Sequence, residues 1–332
     1  MIIQLKSTVS TSQAAELAAH IEAFHVVELG HQVLITSSSV KELPTQAESM
    51  TETFWAFKDD MQLASRVYRP ETRTITIGNV QIGGQTRNTI VIGGPCSVES
   101  EEQITQSAEL IKSLGLQTLR AGCYKPRTSP YSFQGMGLDG LKLLAKMREL
   151  YGLRVVTEAR DATHIQEIID YTDVIQVGAK AMYDQGILRA AAKCNKPVLI
   201  KRGFGSTLQE TVQAAEFILA GGNEQVVICE RGLRTFETKT RFTLDLCGVA
   251  YLKEYTNLPV ILDPSHAMGY AYGVPSLARA CVAMGIDGLL IETHPNPKVA
   301  KSDASQQLDF EEFKNMLESL KPVAAAVGYH LV

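Results

Sequence analysis

The sequence lacks any apolar run that approaches the roughly 20 residues of a membrane-spanning helix. It also lacks the charged start and long apolar stretch of a secretory signal, because its first segment reads MIIQLKSTVS. Its 6 cysteines form no CxxC pair and no dense framework, which fits a reducing compartment. The net charge of −4 argues against general nucleic-acid binding. We therefore expect a cytoplasmic protein that binds neither membranes nor nucleic acids.

A repeating pattern of apolar and amphipathic segments occupies the chain from residue 89 onward. Short β-branched runs end in Gly, Pro or a charged residue, and helix-period segments separate them. Near-continuous apolar strands indicate burial on both faces, as in a parallel sheet. The runs are NTIVIGGPCS, QTLRAGCY, RVVTEA, DVIQVGA, PVLIKRG, QVVICERG, PVILDPSH and GLLIETHP.

Eight strand–helix units of this kind predict an α/β fold, a (β/α)8 TIM barrel over residues 89–332. The segment DFEEFKNMLESLKPVAAAVG supplies the closing helix. An open, doubly wound sheet is the competing arrangement, but the evenly spaced units offer no obvious switch point for it.

Two further pieces precede the predicted barrel. Residues 71–88 are interpreted as a linker and a β-hairpin, ITIGNVQIG, which turns at Gly78–Asn79 and could cap the bottom of the barrel. Residues 1–70 follow the order strand, helix, strand, strand, helix, strand, which predicts a small α+β ferredoxin-like domain. Its second helix would be KELPTQAESMTETFWAFKDD and its last strand MQLASRVY. We expect this domain to serve oligomerisation, packing or regulation.

Reactive side chains end every predicted barrel strand, at the edge where such barrels carry their active sites. Buried ionisable groups are costly unless they are paired or liganded, so a structural accident is improbable. The strand-end residues are Cys96, Arg120, Lys125, Arg127, Thr128, Glu158, Lys180, Lys201, Arg202, Glu230, Arg231, Asp263, His266, Glu292 and His294.

The basic strand-end residues predict an anion site. Arg grips phosphate or carboxylate with two parallel hydrogen bonds, while Lys acts as a point charge. So many cations at one mouth would repel each other without anions, which implies more than one phosphate or carboxylate. For Arg202 and Lys180, a salt bridge to a neighbouring helix is an equally open interpretation.

A thiol, an imidazole and a carboxylate form a second set at the same mouth. Cys96, His266 and Glu292 could share one divalent transition metal, with Asp303 from the loop after the last strand as an acidic fourth ligand. These residues are far apart in sequence, so only the barrel assignment brings them together. Mn, Fe, Co and Zn all remain open, because such a site accepts several metals.

Motifs along the barrel resemble those of a known family. They are GGPCSVES, RAGCYKPRTSPYSFQG, VVTEA, KRG, CERGLRTFE, DPSH and IETHPNP followed by SD. In these motifs residues 85–332 resemble 3-deoxy-D-arabino-heptulosonate 7-phosphate (DAHP) synthases, in particular the compact type I barrel branch with an N-terminal ferredoxin-like regulatory domain. Residues 1–70 resemble that branch by length and pattern.

The resemblance implies the first step of aromatic amino-acid synthesis, in which phosphoenolpyruvate, D-erythrose 4-phosphate and water give DAHP and inorganic phosphate. C3 of phosphoenolpyruvate would attack the sugar aldehyde, water would add at C2, and phosphate would leave with C–O cleavage. The implied metal ligands are Cys96, His266, Glu292 and Asp303. The implied phosphoenolpyruvate contacts are Arg120, Lys125, Glu158, Lys201 and Arg231, and the implied erythrose 4-phosphate contacts are Pro126, Arg127, Thr128 and Ser129.

The catalytic residues that we expect are Lys125, His266 and Cys96. Lys125 and His266 are the candidates for proton transfer, since both would lie close to the reacting carbons. The resemblance further implies a homotetramer and a regulatory response to tyrosine or phenylalanine.

One residue departs from the family pattern, because Lys180 stands where these enzymes usually have Arg. Lys keeps the charge but cannot form the two parallel hydrogen bonds of Arg, so we expect a weaker contact with phosphoenolpyruvate.

The nearest alternative function is 3-deoxy-D-manno-octulosonate 8-phosphate synthase, which uses arabinose 5-phosphate. Its members carry Lys-Ala-Asn-Arg where this chain has KPRT, and Pro126 stiffens the turn, so the shorter sugar is favoured. A sensing barrel without catalysis is the non-enzyme alternative.

Overall fold

The N-terminal part of the chain forms a four-stranded antiparallel sheet with one helix. The computed structural model describes residues 1–125, 127 and 129–332. The sheet order is β2-β3-β1-β4, with every neighbouring pair antiparallel, in agreement with the predicted ferredoxin-like domain. The elements are β1 (Ile2–Leu5), α1 (Thr11–His20), β2 (Phe24–Glu28), β3 (His31–Ile35) and β4 (Thr51–Trp55).

The second half of this domain differs from the prediction. The segment KELPTQAESMTETFWAFKDD is not a helix; it contains a 3-10 turn, Glu48–Met50, and then β4. Pro44 disfavours helical backbone before it, and the β-branched TETFW run pairs with β1 instead. The segment MQLASRVY is not a strand, and only its Ser65 forms a β-bridge, to Thr256. Its Leu63 and Ala64 are buried in the large apolar cluster that includes the barrel helices.

Alternation along the strands gives this sheet two buried faces. Ile3 and Leu34 belong to a cluster with Leu17 of α1. Ile2 and Val33 face the other way and join the large cluster that continues into the barrel helices. The sheet is therefore packed between its own helix and the barrel.

Charged residues fasten the N-terminal segment to the barrel. Glu216 accepts hydrogen bonds from the backbone N–H groups of residues 62, 63 and 64, at 2.7, 3.1 and 2.8 Å. Arg73 is 1% exposed, pairs with Glu28 of β2 at 2.8 Å and donates from Nε to Asn257 Oδ1 at 2.9 Å. A buried guanidinium needs such partners, so these contacts hold the two parts of the chain in one arrangement.

The predicted hairpin is present and caps the lower end of the barrel. It consists of β5 (Thr74–Ile77) and β6 (Val80–Gly83), and Gly78 at its turn has a φ of 66°, which glycine adopts without steric cost. The inward side chains Ile75 and Ile82 share a buried cluster with the barrel-interior residues of the strands above.

Eight parallel strands form the closed barrel. They are β7 (Asn88–Gly94), β8 (Thr118–Arg120), β9 (Arg154–Ala159), β10 (Val174–Val177), β11 (Val198–Lys201), β12 (Val226–Glu230), β13 (Val260–Leu262) and β14 (Gly288–Glu292). Each pairs with the next, and β14 pairs with β7 in parallel over five residue pairs, which excludes the open doubly wound sheet. A short last strand, β15 (His330–Leu331), also pairs with β7.

Helices follow the barrel strands as the 3.6-residue pattern predicts. Several begin at a side-chain cap, for example at Ser100, Thr207 and Asp309. The helices are α2 (Glu101–Ser113), α3 (Gly137–Tyr151), α4 (Ile165–Tyr171), α5 (Gln185–Ala192), α6 (Leu208–Leu219), α7 (Leu246–Tyr255), α8 (Pro264–Met268), α9 (Val274–Ala283) and α10 (Phe310–Ala326). Within the described residues, none of them has the length and apolar character needed to span a bilayer.

Candidate active site

A cavity of about 460 Å³ opens at the C-terminal ends of the barrel strands. Cations dominate its wall, so the charge of the cavity is complementary to anionic ligands. The lining residues are Lys125, Arg127, Glu158, Ala179, Lys180, Lys201, Phe204, Arg231, Arg234, Arg241, Phe242, His266 and Asp303.

Possible metal-ligand atoms meet at the base of this mouth. One ligand atom each from Cys96, Glu292 and Asp303 lies within 4.8 Å of the others. His266 joins them, because its Nε2 is 3.6 Å from Glu292 Oε1 and 3.9 Å from Asp303 Oδ2. A thiol, an imidazole and two carboxylates are a donor set that suits a divalent transition metal, so the residues fit the group that the sequence predicts.

Neighbouring cationic groups lower the pKa of both carboxylates of this set. Burial by itself raises the pKa of Glu292, but His266 and Arg120 outweigh burial and lower the pKa. For Asp303 the Arg241 guanidinium does most to outweigh burial, and the pKa lies well below its ordinary value. Ionised carboxylates are the form that binds a metal.

Lys125 lies directly against the thiol. Its Nζ is 3.1 Å from Cys96 Sγ and donates to the Cys96 carbonyl oxygen at 3.0 Å. Burial lowers the pKa of this lysine, but its interactions with Cys96 and Glu158 outweigh burial, so the pKa is raised. Burial raises the pKa of Cys96 itself to about 11. Lys125 is therefore a fixed positive charge between the metal ligands and the cavity.

A carboxylate below the imidazole orients His266. Asp263 Oδ2 is 2.7 Å from His266 Nδ1 and 2.6 Å from Lys201 Nζ. Burial raises the pKa of Asp263, but His266 and Lys201 outweigh burial and hold the pKa well below its ordinary value. With Nδ1 engaged by Asp263, His266 presents Nε2 to Glu292 and Asp303, as a metal-binding histidine does.

Arg231 is the cation whose surroundings point most directly to an anionic ligand. It is 4% exposed, and its Nε and Nη1 have no hydrogen-bond partner among the described residues. Its guanidinium carbon is 4.1 Å from the centre of the Phe242 ring, and burial lowers its pKa. A buried, incompletely paired guanidinium in a cavity wall is costly unless an anion completes its hydrogen bonds.

The structure brings most of the predicted site residues to the cavity. Glu158 lines it and accepts from Gln176 Nε2 at 3.0 Å, while Arg127 lines it and reaches Asp303 Oδ1 at 3.4 Å. Arg120 lies beneath the cavity, where its Nη1 pairs with Glu292 Oε1 at 2.6 Å. The other predicted residues on the cavity wall are Lys125, Lys180, Lys201, Arg231, His266 and Asp303.

The predicted sugar-phosphate segment is only partly at the cavity. Ser129 is not among the described lining residues; its Oγ accepts from the Tyr131 backbone N–H at 3.3 Å. Pro126 and Thr128 lie outside the described residues.

Other charged strand-end residues are paired within the fold. Arg202 contacts Glu230 at 2.9 Å and Asp245 at 2.8 Å, so the salt-bridge interpretation applies to it. His294 faces Glu99 at 3.5 Å. These groups support the barrel rim, and they are not among the residues that line the cavity.

Sequence reasoning missed part of the cavity wall. Arg234, Arg241 and Phe242 come from the long loop after β12, and Phe204 comes from the loop after β11. The available signal was the density of arginine in RGLRTFETKTRF directly after a barrel strand. The Phe204 and Phe242 rings, 5.7 Å apart and stacked, have no comparable signal in the sequence.

Comparison with known proteins gives the same family from sequence and from fold. The model of the DAHP synthetase I family matches residues 64–327. A phospho-2-dehydro-3-deoxyheptonate aldolase of Thermotoga maritima is 44% identical over 267 residues, 80% of this chain and 78% of the relative. A 2-dehydro-3-deoxyphosphooctonate aldolase of Francisella tularensis is 32% identical over 74% of this chain and 94% of its own length.

Solved structures extend the likeness to the N-terminal domain. The crystal structure of the Thermotoga maritima DAHP synthase superposes with a TM-score of 0.81 at 37% identity, covering 100% of this chain and 99% of that one. A truncated form of the Thermotoga enzyme gives a TM-score of 0.75 at 40% identity and covers 81% of this chain and 98% of its own. On the family match, the sequence relatives and the shared fold together, this chain belongs to the DAHP synthetase I family.

Proposed function

We propose that the barrel mouth condenses phosphoenolpyruvate with D-erythrose 4-phosphate and water to give DAHP and inorganic phosphate. The chain has the DAHP synthase activity of its family, and its own strand-end residues carry out that reaction in this proposal. The observation that supports it most is the incompletely paired, buried Arg231 in a cation-lined cavity that adjoins the metal-ligand cluster.

Cys96, His266, Glu292 and Asp303 are the proposed ligands of one divalent metal ion. When bound, such an ion supplies Lewis-acid polarisation of the aldehyde oxygen, or a fixed point that positions the aldehyde. Mn, Fe, Co and Zn all suit this donor set. Metal dependence is proposed because a thiol, an imidazole and two carboxylates come together at this place.

Phosphoenolpyruvate is proposed to occupy the side of the cavity where Arg231, Lys201 and Lys125 converge. Its phosphate and carboxylate would complete the hydrogen bonds of Arg231 and offset the cations. Arg120 is proposed to act from beneath, through its contact with Glu292, and Glu158 and Lys180 would complete the same pocket. Fixing both reactants next to neutralising charges supplies orientation and electrostatic stabilisation together.

The sugar phosphate is proposed to bind at the outer side of the cavity, toward Arg127. Arg127 lines the cavity, and its Nε and Nη2 have no hydrogen-bond partner among the described residues. The proposed further contacts are Pro126, Thr128 and Ser129, on the resemblance alone. In this proposal the two phosphates bind to different cations of the cavity wall, Arg231 for one and Arg127 for the other.

Proton transfer is proposed to involve Lys125 and His266. Both line the cavity, and Lys125 is positively charged as described above. Asp263 holds His266 in one orientation. A donor or acceptor must be within hydrogen-bond reach of the reacting group, and these two groups adjoin both the metal ligands and the cavity.

The substrate test is a direct assay of phosphate release. The purified protein, with a panel of divalent metals, is mixed with phosphoenolpyruvate and either erythrose 4-phosphate or arabinose 5-phosphate. We expect turnover with erythrose 4-phosphate and its loss after EDTA treatment. Turnover only with arabinose 5-phosphate would overturn the proposed specificity, and the 32% identical octulosonate relatives make this the relevant comparison. Absence of turnover with either sugar would favour the sensing barrel.

Lys180 provides a test of the phosphoenolpyruvate pocket. It lines the same cavity as Glu158 and Lys201, so we expect Lys180→Ala to raise the Michaelis constant for phosphoenolpyruvate by about 10-fold, as the loss of one charged contact does. Steady-state kinetics with phosphoenolpyruvate varied will measure it. Lys193→Ala, a change on the exposed side of the barrel, is the matched control. An unchanged Michaelis constant in Lys180→Ala would rule out the contact.

Residues 1–70 are proposed to form a regulatory domain that responds to tyrosine or phenylalanine, in a homotetramer. Residues 71–88 are the proposed linker and hairpin, and residues 89–332 the proposed catalytic barrel. The buried contacts of Glu216 and Arg73 would carry a change in the domain to the barrel. Deleting residues 1–70 should abolish inhibition by either amino acid. Equal inhibition of both forms would exclude this role, and sedimentation will give the oligomeric state.

A further inference from the structure

A buried glutamine lies between the proposed metal ligands and an arginine of the cavity wall. Gln306 is 1% exposed and ends a one-turn 3-10 helix, Ala304–Gln306, that directly follows Asp303. Its Nε2 donates to Glu292 Oε2 at 2.6 Å, and its Oε1 accepts from Arg241 Nη1 at 2.6 Å. Both ends of the amide are therefore occupied, by groups that belong to two different strand–helix units.

The chemistry of the two neighbours determines what residue 306 can be. A guanidinium only donates hydrogen bonds and an ionised carboxylate only accepts them, so the amide oxygen must face Arg241 and the amide nitrogen Glu292. A carboxylate at this position would be repelled by the carboxylate of Glu292, and an ammonium would be repelled by the guanidinium of Arg241. An apolar side chain would satisfy neither neighbour.

The contact with Gln306 leaves the other oxygen of Glu292 for the metal site. Oε1 lies 2.6 Å from Arg120 Nη1 and 3.6 Å from His266 Nε2. We propose that Gln306 is a positioning residue, whose amide holds Glu292 with Oε1 toward His266 and ties that carboxylate to Arg241. This inference rests on the metal set proposed above and adds to it a residue that is not itself a ligand.

Arg241 extends the effect to the second carboxylate. Its Nη1 is 3.3 Å from Asp303 Oδ2, so it reaches Asp303 directly and Glu292 through Gln306. Groups that hydrogen-bond to metal ligands orient them, and their loss weakens metal affinity about 10–100-fold although every ligand remains. Loss of the Gln306 amide should therefore weaken metal binding rather than remove it.

The test is a cobalt(II) titration of the metal-free, full-length protein, followed by calorimetry and by the absorption of the Cys96–cobalt bond. We expect Gln306→Met to raise the dissociation constant about 10–100-fold. Gln306→Glu keeps an acceptor for Arg241 but loses the donor to Glu292, so it should weaken cobalt binding as well. Excess cobalt should restore most of the activity of both variants, because the substrate-binding residues are unchanged.

Gln176→Met is the matched control. Gln176 is also 1% exposed, and its Nε2 also donates to a cavity carboxylate, Glu158 Oε2, at 3.0 Å. It is not in contact with any of the four proposed ligands in the described structure, so its replacement should leave the cobalt dissociation constant unchanged. Circular dichroism of each metal-free variant verifies folding before titration, and Gln306→Asn, which keeps an amide on a shorter side chain, replaces Gln306→Met if that variant does not fold.

Each outcome bears on a different step. A cobalt dissociation constant that is the same in wild type, Gln306→Met and Gln176→Met would overturn the positioning role. If Gln306→Glu binds cobalt with wild-type affinity, the hydrogen bond from Gln306 to Glu292 does not contribute to metal binding. Only the contact with Arg241 would then remain as a positioning contact. If the wild type itself gives no cobalt absorption that depends on Cys96, the metal set is wrong and the inference falls with it.

Discussion

Replacing Cys96 by alanine should reduce kcat/KM for DAHP formation by about 10³-fold or more. The change removes the thiol from a cluster in which Cys96, Glu292 and Asp303 supply ligand atoms within 4.8 Å of one another. A bound metal ion contributes several kcal/mol of charge stabilisation to such a reaction, and each 1.36 kcal/mol is a factor of about ten in rate. The measurement is phosphate release as a function of the concentration of each substrate, repeated with the metal varied.

A second cysteine provides the control for this prediction. Cys281 is also fully buried, but it lies on α9 in the apolar cluster of the barrel helices. Cys281→Ala should therefore keep the wild-type rate and lose only a little stability. If Cys96→Ala retained the wild-type rate and the wild-type response to EDTA, Cys96 would not be a metal ligand of the active enzyme.

Lys125→Met should lower kcat/KM by about 10²–10³-fold while the metal remains bound. Lys125 is 6% exposed, and its Nζ lies 3.1 Å from Cys96 Sγ. Its neighbours keep it charged, so methionine of similar length removes a preorganised positive charge beside the reacting groups. The loss of one such donor typically costs this factor. Single-turnover kinetics will separate the chemical step from substrate binding.

Two further measurements make this result specific. Cobalt absorption should persist in Lys125→Met, because the four proposed ligands are all retained. Lys142→Met is the control, since Lys142 is exposed on α3 and contacts only the exposed Asp139, at 3.8 Å, in the described structure. Wild-type kcat/KM in Lys125→Met would exclude Lys125 from both charge stabilisation and proton transfer.

The barrel was predictable because its signal is periodic and local. The eight apolar runs all became strands, and their ends carry the side chains that the sequence pointed to, from Cys96 to Glu292. A strand that is buried on both faces must be apolar throughout, and a charged side chain at its end is therefore visible in the sequence. The DAHP synthase motifs then agreed with the family match over residues 64–327.

The N-terminal domain was only half predictable. Residues 41–60 contain helix-forming residues such as Glu, Gln, Ala and Met, yet residues 51–55 form a strand. The strand exists because β1 already offers an open edge, and pairing across that edge outweighs weak local propensity. The choice between helix and strand was therefore made by a neighbour from the beginning of the chain.

The sequence by itself determined the barrel, its strand ends and the residue types at its mouth, because these depend on hydrophobic periodicity and on the residues that follow each strand. Only the tertiary structure decided which charges are paired. Arg202 forms ion pairs with Glu230 and Asp245, and only its Nε has no hydrogen-bond partner, whereas Arg231 keeps two nitrogens without a partner among the described residues. It also decided that Gln306 bridges Arg241 and Glu292. Hydrogen-bond partners distant in the chain depend on distances and angles that no sequence spacing contains.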